Sequence, residues 1–151
     1  MTAPVDWLRR NLRLLSLFAP VLIVAGVAGM LVPPELALMS GALPYDVFHI
    51  VFGALGLAIV VARAGRLAAL FNLGFGAIDL YQALAGPLGL FPAALFGLRP
   101  ADHVVHVVLG LLLVGFGVRG VVPRAPDALV REASLPAAAA APGAVEDKDR
   151  S

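Results

Sequence analysis

The sequence predicts an all-α, polytopic membrane protein with four transmembrane helices in a bundle. Three observations lead there. The chain is 60% hydrophobic and only 14% charged, with a mean hydropathy of +0.93, whereas a soluble domain is nearer half apolar and a quarter charged. Four apolar stretches are each about as long as a helix that crosses the hydrocarbon core. The second and fourth stretches also share the pattern H-[IV]-V-[FL]-G, as His49-Ile50-Val51-Phe52-Gly53 and His106-Val107-Val108-Leu109-Gly110. That echo suggests a tandem two-helix repeat.

The elements follow in order. Residues 1–13 form a basic N-terminal segment with Arg9, Arg10 and Arg13, and with Trp7 as an interface anchor. Residues 14–32 contain no charge and form the first crossing. This run exceeds the ~7–15 apolar residues of a secretory signal, and three more apolar segments follow, so it reads as a retained helix. Pro33-Pro34 ends it, because proline donates no backbone hydrogen bond. Residues 35–44 form a loop without Lys or Arg. The second crossing spans about 45–62, and Arg63 and Arg66 lie in the next turn. The third spans about 67–85 and contains Asn72, Asp79, Tyr81 and Gln82 before Gly86-Pro87 stops it. Residues 88–98 are apolar but too short to cross and are interrupted by Pro92, so an interfacial or re-entrant segment is expected. The fourth crossing spans about 101–118, completing a transmembrane domain over 14–120. From 121 to 151 the composition turns to Ala and Pro with mixed charge, which predicts a disordered tail.

Arginine placement sets the expected orientation. The N-terminal segment, the turn after the second helix and the region after the fourth are basic; the first loop is not, and only Arg99 stands on its side. The positive-inside rule then puts both termini in the cytoplasm of a cell (inner) membrane. A net charge of +1 without a basic stripe argues against nucleic acid as a partner. The expected partners are the lipid bilayer and a second copy or another membrane protein. With no cysteine, disulfides, thiol catalysis and cysteine metal sites are excluded.

Helical spacing brings the polar and small residues together. Asp46, His49, Gly53, Gly56 and Val60 share one face of the second helix. Asp102, His106, Gly110, Leu113 and Gly117 do so on the fourth, with His103 at the edge. Asn72, Gly76, Asp79 and Ala83 form a stripe on the third, flanked by Gln82. Small residues let membrane helices approach, and polar ones hydrogen-bond across the gap, so these faces should point inward. At 1.5 Å per residue, His49 lies about 6 Å, His106 about 7 Å and Asp79 about 9 Å from the extracytoplasmic helix ends. One polar cluster is therefore expected there: Asp46, His49, Asp79, Gln82, Asp102, His103 and His106. Asp46 and Asp102 each follow a proline by two residues and read as first-turn caps. Asp79 should pair with His49 or His106, because an unpaired carboxylate in lipid is costly. His49, Asp79 and His106 are also the weak candidates for a metal site. There is no phosphate loop, no nucleophile motif and no HExxH. No catalytic residue and no cofactor are predicted.

The segments PYDVFHIVFGALGLA, FNLGFGAIDLYQAL and ADHVVHVVLGLLLVGFG together resemble a family of small four-helix bacterial membrane proteins catalogued as a domain of unknown function. The fourth-helix segment is similar to that family's Ala-Asp-x-x-x-His-x-x-x-Gly signature. A looser similarity is to DoxX-like membrane proteins. The resemblance implies a four-helix fold over residues 14–118 and no transferable activity. The leading expectation is a structural or accessory, non-enzymatic membrane protein. A small transporter or ion-coupled protein using the Asp/His cluster is the alternative, and a metal-dependent membrane oxidoreductase component is a third.

Overall fold

The computed structural model describes residues 3–122, and the tail expected from 121 lies outside the described residues from 123 on. Within them five helices form: α1 (Ala3–Leu31), α2 (Leu43–Val61), α3 (Gly65–Leu88), the single turn α4 (Ala93–Phe96) and α5 (Pro100–Val121). The described residues are otherwise turns and loops. Four helices are long and apolar enough to cross a membrane; the shortest, α2, has 19 residues, or about 29 Å.

All four long helices run past an expected bound, α2 from Leu43, α3 from Gly65 and α5 over Pro100–Val121 by one to three residues; two of the extensions have a clear local reason. α1 begins at Ala3 rather than 14. Leu8, Asn11, Leu15, Ala19, Leu22 and Gly26 continue one stripe at three- and four-residue spacing, and from Asn11 on its members are buried. Arg9, Arg10 and Arg13 sit on the exposed face of the same helix. α3 runs through Gly86-Pro87 to Leu88, because a proline this close to the end removes one hydrogen bond and no more. The stop is Gly89, whose φ of 64° lets its N–H reach Gly86 O at 3.1 Å and the next N–H, of Leu90, reach Ala85 O at 2.8 Å. This is the double closure that glycine permits at a helix end.

The bundle is two antiparallel hairpins, α1 with α2 and α3 with α5, joined along α1 and α3. α2 and α5 make no direct backbone approach to each other and so occupy opposite corners. Glycines set the spacing inside each hairpin. A Cβ at Gly53 would lie 2.8 Å from Ala19 O, and one at Gly76 would lie 2.9 Å from Gly110 O. The central core is Leu15, Phe18, Ala19, Leu22, Ala68, Phe75 and Leu113. Phe18, Phe48, Phe52 and Phe71 surround Phe75, with centroids 5.4–5.8 Å away. The outer faces keep large apolar side chains exposed, among them Leu17, Val24, Leu84, Val104 and Leu111.

If helix approach depends on these glycines, their substitution should separate into two classes. At Gly117 a Cβ would lie 2.7 Å from Leu73 Cα, whereas at Gly74 and Gly115 it would meet nothing within 4 Å. Gly117→Ala should lower thermal stability in detergent by about 1–3 kcal/mol, the usual cost of overpacking. Gly74→Ala and Gly115→Ala should be neutral or slightly stabilising, since alanine favours helix. Equal effects at all three positions would remove close packing as the explanation.

Candidate functional site: the polar end of the bundle

α1 and α3 end, and α2 and α5 begin, at the same end of the bundle. There the structure buries Ser40, Tyr45, Asp46, His49, Asp79, Gln82, Asp102 and His106, with His103 half-buried. The faces expected to turn inward do so: Asp46, His49, Gly53 and Gly56 on α2, Asn72, Gly76, Asp79, Gln82 and Ala83 on α3, and Asp102, His106, Gly110, Leu113 and Gly117 on α5 are all buried.

The start of α5 organises this end. Pro100 occupies its first turn, where a missing N–H costs nothing. Asp102 then folds back, and its Oδ2 accepts from Arg99 N at 2.7 Å and from Ser40 N at 2.9 Å. The first bond is the expected cap; the second fastens the α1–α2 loop to α5. Arg99 fastens the same loop from outside, its guanidinium donating to Ala37 O and to Pro34 O. Ser40 Oγ donates to Phe96 O of α4. α4 lies against α2 and α3, and Phe96 packs on Tyr45 with centroids 5.7 Å apart. The apolar segment 88–98 thus folds back as a short helix over the polar end.

Tyr45 spans the corner-to-corner gap. Its hydroxyl donates to Asp102 Oδ1 at 3.0 Å and lies 3.1 Å from His106 Nε2. A tyrosine has one hydroxyl proton, so while it serves Asp102 it can only accept from His106. His106 therefore bears its proton on Nε2. His49 is the mirror case: its Nδ1 lies 2.8 Å from Tyr45 O, and a carbonyl can only accept, so Nδ1 bears the proton.

Three expectations are corrected. Asp46 does not cap α2: no side-chain cap bond forms there. Its carboxyl lies instead against Gly29, in an open pocket of about 260 Å³ lined also by Met30, Pro34 and Gly41. Asp79 makes no hydrogen bond to His49 or His106 among the described residues. His106 is engaged by Tyr45, and Asp79 Oδ2 is buried without a partner. The described residues also hold no group of three or more His, Asp or Glu arranged to bind a metal, so His49, Asp79 and His106 do not form a ligand set.

Sequence reasoning missed Tyr45, Ser40 and Asn11. Tyr45 lies four residues before His49 on the same face, a spacing that was open to inspection. Asn11 marks the opposite end of the bundle. Its Nδ2 donates to Trp7 O at 2.9 Å and Phe116 O at 2.8 Å, and its Oδ1 accepts from Asn72 Nδ2 at 2.9 Å. Trp7 is held there between Arg10 and Arg119, whose guanidinium carbons are 4.8 and 5.2 Å from its ring centroid.

Tyr45→Phe should strand Asp102 Oδ1 and the His106 Nε2 proton together. The expected loss is about 1–3 kcal/mol, the cost of unsatisfied buried groups, read as a fall in thermal stability in detergent. In double-mutant cycles, Tyr45→Phe with His106→Leu should couple by about 0.5–3 kcal/mol. Asp79→Leu with His106→Leu should couple less, because no direct bond joins that pair. The opposite ranking would show that the Asp79–histidine pairing dominates after all.

Compared with protein-family models, curated proteins and solved structures, the chain matches none.

Proposed function

We propose that this chain is a multi-pass integral membrane protein, one of the small four-helix type its motifs resemble, crossing the cell (inner) membrane with α1, α2, α3 and α5. Both termini lie in the cytoplasm, and the role is structural or accessory rather than catalytic. The observation that supports this reading best is the belt of exposed Leu and Val on all four long helices, which water would not tolerate over so large a surface. The basic residues support the orientation. Arg9, Arg10, Arg13, Arg63, Arg66 and Arg119 gather at the Asn11 end, where a cytoplasmic leaflet attracts them. Arg99, the exception, is engaged by the carbonyls of Pro34 and Ala37 and has a structural reason to be at the other end. Tyr45, Ser40 and Asp102 hydrogen-bond to one another's elements, which suits a clasp better than a nucleophile awaiting substrate.

A cysteine-free chain allows a direct test of orientation. Leu38→Cys and Ala62→Cys place thiols at exposed positions in the two loops at opposite ends. A membrane-impermeant thiol reagent on intact cells should label Leu38→Cys and spare Ala62→Cys until the membrane is permeabilised. The reverse pattern would invert the topology, and equal labelling of both in intact cells would reject the crossings.

A second reading, an ion-coupled membrane protein, is favoured by one observation: the unpartnered buried atoms of Asp79, Gln82 and His106.

A further inference from the structure

The end of α1, the start of α2 and the loop between them line an open cavity of about 260 Å³, and Asp46 forms part of its wall. Asp46 is only 3% exposed. Its carboxyl occupies the space that a side chain at position 29 would fill: a Cβ on Gly29 would lie 2.0 Å from Oδ1 and 3.0 Å from Oδ2. Among the described residues neither oxygen receives a hydrogen bond, the expected cap included. Native interiors pair nearly all buried polar groups, so this one calls for an account.

The end of α1 adds two more acceptors, and the sequence is the reason. A helical carbonyl accepts from the N–H four residues on. For Gly29 and Met30 those residues are Pro33 and Pro34, which have no N–H. No other backbone donor reaches either carbonyl among the described residues, and both residues line the cavity. They also carry the negative end of the α1 dipole. Gly41 and Leu43 bring backbone N–H groups to the wall, but neither reaches Asp46, and the other lining side chains hold no donor. His49, one turn on from Asp46, turns its Nδ1 proton to Tyr45 O. Arg99 is committed to the carbonyls of Pro34 and Ala37. The cavity thus has one carboxylate and a surplus of acceptors, walled by Met30, Val32, Pro34 and Leu43.

That combination selects the ligand. An anion is repelled. A metal ion fits poorly: the carboxylate and two carbonyls fall short of the about six oxygens that a hard cation takes, and the described residues hold no three-membered set of His, Asp and Glu. An ammonium group fits. It brings one positive charge with N–H donors on every side, and its carbon stem suits the apolar wall. We propose that the α1–α2 cavity binds a primary organic ammonium, with Asp46 as its counter-charge and the Gly29 and Met30 carbonyls as further acceptors. An ethanolamine lipid headgroup and a free alkylamine share this chemistry. The site is independent of the ion-coupled reading.

The test is a calorimetric titration of the full-length, delipidated protein in a maltoside detergent with butylammonium chloride. The wild type should bind it saturably. Asp46→Asn keeps the shape and loses the charge, and should bind about tenfold more weakly or worse, as a charged hydrogen bond becomes a neutral one. Equal affinity in the two, or no saturable binding by the wild type, overturns the site. Should Asp46→Asn fail to fold, nuclear Overhauser contacts in the wild type decide instead. The butyl protons should contact Met30 and Leu43; contacts confined to other residues overturn the site. Sodium chloride at equal ionic strength should not compete, and competition by sodium overturns the ammonium in favour of a metal ion. Native mass spectrometry of protein taken from the membrane separates the two sources. Retained phosphatidylethanolamine that is lost in Asp46→Asn upholds the site with a lipid as occupant. No retained lipid, with butylammonium still bound, upholds it with a free amine.

Discussion

Among the described residues, the Tyr45 hydroxyl makes the hydrogen bonds that join the two corners of the bundle which the backbone leaves apart. α2 and α5 do not approach each other directly, yet Tyr45 on the first turn of α2 reaches both Asp102 and His106 on α5. Without that bridge the polar end would be held by the α1–α2 loop and by α4 packed across α2 and α3. With it, Asp102 serves Arg99, Ser40 and Tyr45 at once, so the start of α5, the loop and the start of α2 become one unit. The hydroxyl has a single proton, and that scarcity passes along the chain: it fixes which His106 nitrogen donates, and so which one is left to accept.

The rest of the bundle divides the work between size and polarity. In lipid no hydrophobic force draws helices together, and close packing with a few hydrogen bonds must suffice. Glycine provides the packing at Gly53, Gly76, Gly110 and Gly117. Asn11 and Asn72 provide the bonds at one end, and the Asp102–Tyr45–His106 chain provides them at the other. Between these, Phe18, Phe75 and their neighbours fill the interior with aromatic rings. The two ends differ in kind. The asparagine end is uncharged inside and ringed by arginine outside. The tyrosine end has carboxyls and imidazoles inside, under α4 and the loop.

Much of this architecture was legible in the sequence because helical periodicity is a strong signal over long apolar runs. Asp46, His49, Gly53 and Gly56 could be placed on one buried face from spacing alone, and so could Asp102, His106, Gly110, Leu113 and Gly117. The partners within that interior were not legible. Spacing says which way a side chain points, but not how far it reaches. Tyr45 is long enough to take the partner that depth alone would have assigned to Asp79. Helix ends were misjudged for a related reason. Arginines at 9, 10 and 13 suggested a polar segment, although their spacing leaves Leu8, Asn11 and Leu15 on one uninterrupted inner stripe. Family likeness did not help here, since the chain's motifs are short and apolar and no comparison with known proteins extends them.

Nitrogen-15 NMR of the histidine side chains tests the central claim most directly. At a pH where both rings are neutral, the account predicts opposite tautomers in one protein: His49 protonated on Nδ1 toward Tyr45 O, and His106 protonated on Nε2 toward the Tyr45 hydroxyl. Tyr45→Phe should release His106 from that constraint and leave His49 as it was. Finding His106 protonated on Nδ1 in the wild type would contradict the bridge, and with it the assignment of free acceptors at the polar end.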